Sequence, residues 1–352
     1  MFKQLNVGSR PCLAGRGGYK SNMQERAMRR YSFYFVILGI HSLLAPAWAQ
    51  EQTPSPAPTA TARDYVEQGT DSGAKGDLDA AIAAFDQALS IDPKYAPAYF
   101  FRGKAHALQN KPDDAIADYS KVIQYDPNNK EAYFQRGSLR GQEGDFDEAI
   151  SDFSAVIKLD PKNAPAYFQL GHAKYFKGDL DGAADDLNQS LTLEPGFSIG
   201  YFIRGLLRHA QQHQALAASD FQKSASLGFP NAAFWIWITE MENDQHGVAQ
   251  TDLQYALSKP ESFKPDDWPS QIGNFLLNNI TQDQLMAKAK TKSATETEGR
   301  LCAAWFYAGM LKQISGDTKG ARDCFAHAIA TGSKGSEEFV EANRELTALP
   351  QP

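Results

Sequence analysis

The chain has 352 residues, of which 42% are hydrophobic and 22% are charged, and its formal net charge is -7. This composition is sufficient for a packed core and excludes a fully disordered chain. The negative charge disfavours nucleic acids and anionic membrane surfaces as partners.

Residues 1–49 have the three parts of a secretory signal peptide. An apolar run from Tyr31 to Ala45 follows Arg29 and Arg30 and precedes a short segment that ends at Ala49. We expect cleavage after Ala49, and the alternative is an uncleaved membrane anchor. Met28 directly precedes the two arginines, so we expect translation to start there, which makes the upstream residues an over-long start.

The segment after the signal peptide predicts a flexible linker. Residues 50–61 are rich in Pro, Thr and Ala and contain no core-forming residues. Removal of the signal peptide also removes seven basic residues and one acidic residue, which changes the net charge from -7 to -13. Because Gln50 follows the cleavage site where a lipoprotein needs a cysteine, we do not expect lipid attachment.

A pattern with a period of 34 residues organises residues 62–231. The recurring positions are Tyr65, Tyr99, Tyr133, Tyr167 and Tyr201; Gly69, Gly103, Gly137, Gly171 and Gly205; and Ala81, Ala115, Ala149, Ala183 and Ala217. An acidic residue followed by proline closes each of the first four units. The pattern resembles the tetratricopeptide repeat (TPR), a helix-turn-helix unit. The resemblance implies an all-α, right-handed superhelical solenoid with five contiguous units.

The second unit illustrates the physical basis of the repeat. Residues 99–108 and 113–124 carry apolar side chains at helical spacing and predict two amphipathic helices. Gly103 and Ala115 have almost no side chain, so the two helices can approach closely where they cross. Pro127 ends the second helix because it lacks an amide hydrogen. One unit cannot bury its apolar faces alone, so the units must stack.

The C-terminal third is less regular. Residues 232–301 predict divergent helices and a proline-containing loop. The 34-residue register returns at Trp305, Gly309 and Ala321, which predicts a sixth unit at residues 302–335. Residues 336–352 predict a capping helix and a tail, as a solenoid end requires.

Arginine and aspartate recur together within the units. The arginine precedes the repeat glycine and the aspartate follows it by 16 residues on the partner helix: Arg102 with Asp118, Arg136 with Asp152, and Arg204 with Asp220. We expect each pair to join the two helices of its unit, and the alternative is a set of solvated charges. Asp186 is the exception, because Leu170 stands at its arginine position.

Two cysteines, Cys302 and Cys324, follow the signal peptide, and Cys12 lies within it. Export would permit a disulfide. The repeat alignment, however, places Cys302 six residues from the position that faces Cys324, which is about 9 Å along a helix. Disulfides need Cα atoms within about 7 Å. We therefore favour buried free thiols, with a disulfide as the alternative.

The TPR resemblance implies that the first helix of each unit lines a concave groove. The residue after the repeat aromatic points into that groove, and four successive units have phenylalanine there: Phe100, Phe134, Phe168 and Phe202. Lys104, His172 and Tyr175 follow on the same helices. We expect these seven residues to bind a partner polypeptide. The alternative is that the rings only widen the core.

The sequence carries none of the common catalytic motifs. His209 and His213 lie four residues apart on one predicted helix, which is half of a metal site. No cysteine or acidic ligand adjoins them in the sequence, so we interpret them as surface histidines. We therefore predict no enzyme activity, no metal and no cofactor.

The segment from Trp268 onward resembles the C-terminal half of the bacterial lipoprotein NlpI family. The residues that carry this resemblance are Trp268, Ile272, Phe275, Leu276, Asn279, Ile280, Leu285, Met286, Lys288, Ala294, Thr295, Phe306, Tyr307 and Gly309. The resemblance implies a dimeric scaffold of the Gram-negative envelope that serves a periplasmic protease and peptidoglycan endopeptidases. Gln50 departs from the family's lipidated cysteine, so we predict a periplasmic protein.

Together these patterns predict an exported scaffold that binds other envelope proteins or peptides, with no membrane span after cleavage. The resemblance further implies that the scaffold links a periplasmic protease to peptidoglycan hydrolases. The alternative function is a peptidoglycan or glycan-binding module, in which the aromatic rings of the groove stack on sugars.

Overall fold

The computed structural model describes residues 60–350, which form 17 α-helices and no strand. The predicted signal peptide and the linker before residue 60 lie outside the described residues. The helices are α1 (Ala62–Ala74), α2 (Leu78–Ile91), α3 (Ala96–Leu108), α4 (Pro112–Tyr125), α5 (Lys130–Glu143), α6 (Phe146–Leu159), α7 (Ala164–Lys177), α8 (Leu180–Leu193), α9 (Ser198–Ala210), α10 (Gln214–Ser226), α11 (Ala232–Glu242), α12 (His246–Leu257), α13 (Trp268–Leu276), α14 (Gln282–Lys288), α15 (Ala294–Ile314), α16 (Thr318–Ala330) and α17 (Glu337–Ala348).

The first ten helices form five helix-turn-helix pairs, one for each predicted unit. The second helix of a unit ends directly before its acid-proline pair: α2 ends at Ile91 and α4 ends at Tyr125. The following proline cannot donate a backbone hydrogen bond, and it disfavours a helical residue before it. The expected all-helical TPR solenoid is confirmed.

The repeat glycine lies where the two helices of a unit cross. A Cβ atom added to Gly69 would lie 2.4 Å from the ring of Phe85, and one added to Gly205 would lie 2.5 Å from the ring of Phe221. Both distances are shorter than any van der Waals contact between carbon atoms. Only glycine therefore permits the observed approach of the two helices.

The turn inside each unit requires a left-handed backbone at one repeated position. Gly76, Gly144 and Gly178 have φ angles of 82°, 88° and 84° there. Asn110 and Gln212 occupy the same position with φ angles of 58° and 63°. Glycine and asparagine adopt this region readily, whereas glutamine does so at a cost in free energy.

Irregular elements follow the fifth unit. Helices α11 and α12 pack as a pair, and α14 begins with a capping box in which Thr281 and Gln284 each bond the other's backbone. Helix α15 begins at Ala294, after the N-cap Ser293. The predicted start of the sixth unit at residue 302 therefore falls inside a helix. The first helix of this unit begins eight residues earlier than the repeat register predicts.

The last helix, α17, was expected only to cap the end of the solenoid. It packs on α15 and α16, and it also contacts the first helices of the fourth and fifth units through Tyr175 of α7 and His209 of α9. Buried Glu341 holds α17 against α7, because its carboxylate accepts a hydrogen bond from the Tyr175 hydroxyl. The helix therefore covers part of the inner face of the solenoid.

Burial is uneven along the chain. One continuous hydrophobic core extends from α7 to the end of α17, whereas the first three units have three smaller, separate clusters. Cys302 and Cys324 are buried and not bonded to each other, and burial raises the pKa of both thiols. Within residues 60–350, no helix combines the length and apolar composition needed to cross a bilayer.

Candidate polypeptide-binding groove

The four phenylalanines predicted to line the groove differ in accessibility. Phe100 on α3 and Phe134 on α5 are half-buried, whereas Phe168 on α7 and Phe202 on α9 are only 7% and 5% exposed. Each of the first two rings packs on a ring of its own second helix: Phe100 lies 5.8 Å from Tyr119, and Phe134 lies 5.7 Å from Phe153, between ring centroids. Two of the four expected rings therefore remain available to a partner.

Phe168 and Phe202, predicted to line an accessible groove, are both nearly buried, although Phe168 still lines a cavity that also reaches His172. The ring of Phe168 packs edge-on against Phe197 at 4.8 Å between centroids, and Phe202 packs against Phe229 at the same distance. At the two preceding repeat junctions, the position of Phe197 is occupied by Asn129 and Asn163, which cap the next helix with their side chains. An apolar residue at the repeat junction therefore covers the ring before it.

Lys104 provides a positive charge at the accessible end of the groove. Its side chain is exposed, and its ammonium group lies 5.8 Å from the centroid of the Phe100 ring. We call the inner surface formed by Phe100, Lys104 and Phe134 the open half of the groove. A half-buried aromatic pair with one cation can bury an apolar side chain and pair with a carboxylate.

The opposite end of the groove is closed by α17. The Tyr175 side chain, expected to face a partner, is fully buried, and Arg344 donates a hydrogen bond of 3.0 Å to the Tyr175 carbonyl. The Arg344 guanidinium also lies 4.2 Å from the Tyr175 ring centroid. Burial raises the pKa of the Tyr175 hydroxyl well above its ordinary value. Tyr175 therefore binds the chain's own C-terminal helix and is not free for a partner.

His172 lies at the boundary between the two halves. Its Nε2 atom is 3.4 Å from a carboxylate oxygen of Glu337, in the first turn of α17. A cavity of about 350 Å³ adjoins it, lined by Ser138, Gln142, Phe146, Phe176 and Gly335 among others. The cavity lies between α5 and α7 and reaches Gly335, just before the start of α17.

The arginine–aspartate pairs expected from the 16-residue spacing are all formed. Arg102 donates two hydrogen bonds to Asp118, at 2.6 and 2.9 Å, and the same geometry joins Arg136 to Asp152 and Arg204 to Asp220. These hydrogen bonds raise the pKa of Arg102, although burial opposes the shift. The aspartates are buried, so the pairs hold the helices that carry the groove.

The third nitrogen of each arginine reaches the preceding unit. Arg102 donates to Asp86 at 2.5 Å, Arg136 to Ser120 at 2.9 Å, and Arg204 to Asn188 at 2.8 Å. Each acceptor lies 16 residues before its arginine, on the second helix of the previous unit. One arginine therefore joins three helices and two repeats.

A second basic position was missed by the sequence analysis. Its members stand 12 residues before each repeat aspartate: His106, Arg140, Lys174 and Arg208. Lys174 lies 2.6 Å from Asp186, so the aspartate without an arginine partner is still paired. Burial raises the pKa of Asp186, and the neighbouring Lys174 ammonium group offsets only part of this effect. The recurrence of a basic residue every 34 positions was the sequence signal that could have identified this second position.

Comparisons with known protein families support the repeats directly. Models of the tetratricopeptide repeat match residues 66–130 and 164–197, and a TPR repeat model matches residues 137–178. The predicted TPR repeats are therefore confirmed. A search of curated proteins found no match. The resemblance of the segment after Trp268 to the NlpI family stays a prediction.

Several solved structures are similar to parts of the chain. MamA is 28% identical, with coverage of 45% of this chain and 93% of its own and a TM-score of 0.44. YrrB, described as a TPR protein with an unusual peptide-binding site, is 19% identical, with coverage of 47% and 86% and a TM-score of 0.45. PilF from Pseudomonas aeruginosa is 17% identical, with coverage of 60% and 95% and a TM-score of 0.49.

Proposed function

We propose that this chain of tetratricopeptide repeats is a non-catalytic scaffold that binds other polypeptides through the open half of its groove. The observation that carries the proposal is the accessibility of Phe100 and Phe134, on successive inner helices, beside the exposed Lys104. Half-buried rings on a rigid helical face provide apolar contact area at little cost in conformational entropy.

The closed half supports the proposal with an internal example. There the inner helices α7 and α9 already hold a helical polypeptide, α17, through buried hydrogen bonds and ring contacts. Helix-in-groove binding is a common mode of peptide recognition. The segment bound in the open half is then amphipathic: its apolar side chains pack against Phe100 and Phe134, and one of its carboxylates lies near Lys104.

Export to the periplasm is the second part of the proposal. It is supported by the apolar run after Arg29 and Arg30 and by the small-residue site that ends at Ala49. The NlpI-like residues after Trp268 support a role in which the scaffold links a periplasmic protease to peptidoglycan hydrolases. Sequencing of the N-terminus of the exported protein tests this part: a start at Gln50 supports it, and a start before Tyr31 contradicts it.

The binding proposal is tested by affinity capture from a periplasmic extract. The double variant F100A/F134A should lose the captured polypeptides while its circular dichroism stays helical. The matched control is Leu216→Ala, which removes a side chain that is 51% exposed on α10, a second helix of its unit. Equal capture by the wild type and the double variant would contradict the proposal.

The glycan-binding alternative is tested with the same three proteins on isolated peptidoglycan sacculi. A polypeptide scaffold should not sediment with protein-free sacculi. Sedimentation that is lost in F100A/F134A and kept in Leu216→Ala would instead assign the groove to sugars.

A further inference from the structure

A histidine and two glutamates converge where α17 lies against the fifth unit. They are His209 on α9 and Glu341 and Glu345 on α17, and one ligand atom from each lies within 4.8 Å of the others. His209 and Glu341 are buried, with 6% and 1% of their surface exposed, so the interpretation of His209 as a surface histidine is wrong. His213 is exposed and precedes α10, so the two histidines do not share a helix. The convergence of His209 with the two glutamates is not visible in the sequence, because more than a hundred residues separate the histidine from the glutamates.

The two glutamates are oriented by neighbouring side chains. Tyr175 and Arg344 both donate hydrogen bonds to Oε1 of Glu341, and Gln313 donates one to Oε2 of Glu345 at 2.7 Å. Among residues 60–350, neither Oε2 of Glu341 nor Oε1 of Glu345 has a hydrogen-bond partner. Carboxylates that bind metal ions are commonly held in this way by outer hydrogen bonds while another oxygen coordinates.

The local charge favours a cation. Glu242 adds a third carboxylate, whose Oε2 atom forms a hydrogen bond of 3.1 Å with Nε2 of His209, so a bound ion would use Nδ1 or replace this hydrogen bond. Three carboxylates thus surround the histidine, and Arg344 is the one permanent cation that contacts them among the described residues. A divalent ion would balance this excess of negative charge, which burial otherwise makes costly.

We propose that His209, Glu341 and Glu345 form a binding site for a divalent transition-metal ion such as Zn²⁺. One imidazole nitrogen and two carboxylate oxygens suit an ion of this class, whereas Mg²⁺ prefers a shell of oxygen ligands and water. A cavity of about 520 Å³ adjoins the three side chains, so water can complete the coordination sphere. The bound ion would tie α17 to α9 and keep the closed half of the groove closed.

The site goes beyond the proposed scaffold function and can be tested without a partner. Untagged chain from Gln50 to Pro352, treated with a chelator and dialysed, is titrated with Zn²⁺ by calorimetry, and the bound ion is counted by elemental analysis. We expect one ion per chain and a higher melting temperature with Zn²⁺ than with Mg²⁺. Absence of Zn²⁺ binding would overturn the proposal.

Two variants and one control locate the ion. Glu345→Gln has nearly the same size and can still accept from Gln313, so it should fold and bind Zn²⁺ at least tenfold more weakly. His209→Ala should have the same effect. His213→Ala removes an exposed histidine four residues away and should bind as the wild type does. Unchanged binding in Glu345→Gln and His209→Ala, or an equal loss in His213→Ala, would overturn the assignment.

Discussion

Asp152 accepts hydrogen bonds from two arginines of its own unit, Arg136 at 2.7 and 3.0 Å and Arg140 at 2.8 Å. Its side chain is only 3% exposed. Asp152→Ala should therefore lower the free energy of unfolding by about 3 kcal/mol, because it leaves two partly buried cations without their carboxylate. The measurement is a urea unfolding curve followed by circular dichroism.

The control for this prediction is an ion pair in solvent. Arg63 and Glu67 form one at 3.0 Å on α1, with side chains that are 78% and 64% exposed. Glu67→Ala should change the free energy of unfolding by less than about 0.5 kcal/mol. A similar loss in both variants would contradict the structural role that we assign to the buried pairs.

Two glycines on α1 give opposite predictions for the same substitution. Gly69→Ala should destabilise the protein by about 1–3 kcal/mol, because its new Cβ atom would lie 2.4 Å from the buried ring of Phe85. Gly73→Ala should be neutral or stabilise by up to about 1 kcal/mol, because its nearest neighbour would be the Ala81 Cβ at 3.8 Å. Thermal unfolding of the two variants decides the matter, and stabilisation by Gly69→Ala would disprove the close-contact account.

Several features of the fold and the groove were readable from the sequence because they recur. Arg136 and Asp152 were predicted as a pair because the same spacing returns in three units. The burial of Phe168 could also have been predicted from the sequence. Apolar Phe197, which packs on its ring, replaces the helix-capping Asn129 and Asn163 of the two preceding junctions.

The contacts of α17 could not be predicted from the repeat pattern. Tyr175 meets Glu341 across 166 residues of sequence, and no repeat relates the two positions. The same holds for His209 and its two glutamates, since their proximity depends on how the irregular helices return the chain to the fourth and fifth units. Periodicity predicts contacts between neighbouring units but does not predict contacts between elements that are distant in the sequence.

Gln212 occupies a backbone conformation that suits glycine. Its φ angle is 63°, at the turn position where four other units have glycine, the sixth unit included. Gln212→Gly should raise the free energy of unfolding by about 0.5–1 kcal/mol, because it removes the clash that a Cβ atom causes in this region. Gly178→Ala, at the same position of the fourth unit with φ of 84°, should lower it by about 1 kcal/mol. Denaturant unfolding of both variants provides the test, and destabilisation by Gln212→Gly would contradict it.

The two buried cysteines should be present as free thiols. In denaturant without a reductant, the exported chain should give two reactive thiols, Cys302 and Cys324, with Ellman's reagent. The native protein should react slowly at neutral pH, because burial covers both sulfurs and raises their pKa. Detection of no thiol in the denatured, unreduced chain would show that the two cysteines are bonded.

The most direct test of the polypeptide-binding groove is site-specific photo-crosslinking in the native envelope. A photoreactive residue at Lys104, in the open half of the groove, should crosslink to a partner polypeptide, and the adduct should disappear when F100A/F134A is added to the same chain. The same residue at Leu216, outside the groove, should give no such adduct. Crosslinks from Leu216 but none from Lys104 would contradict the account.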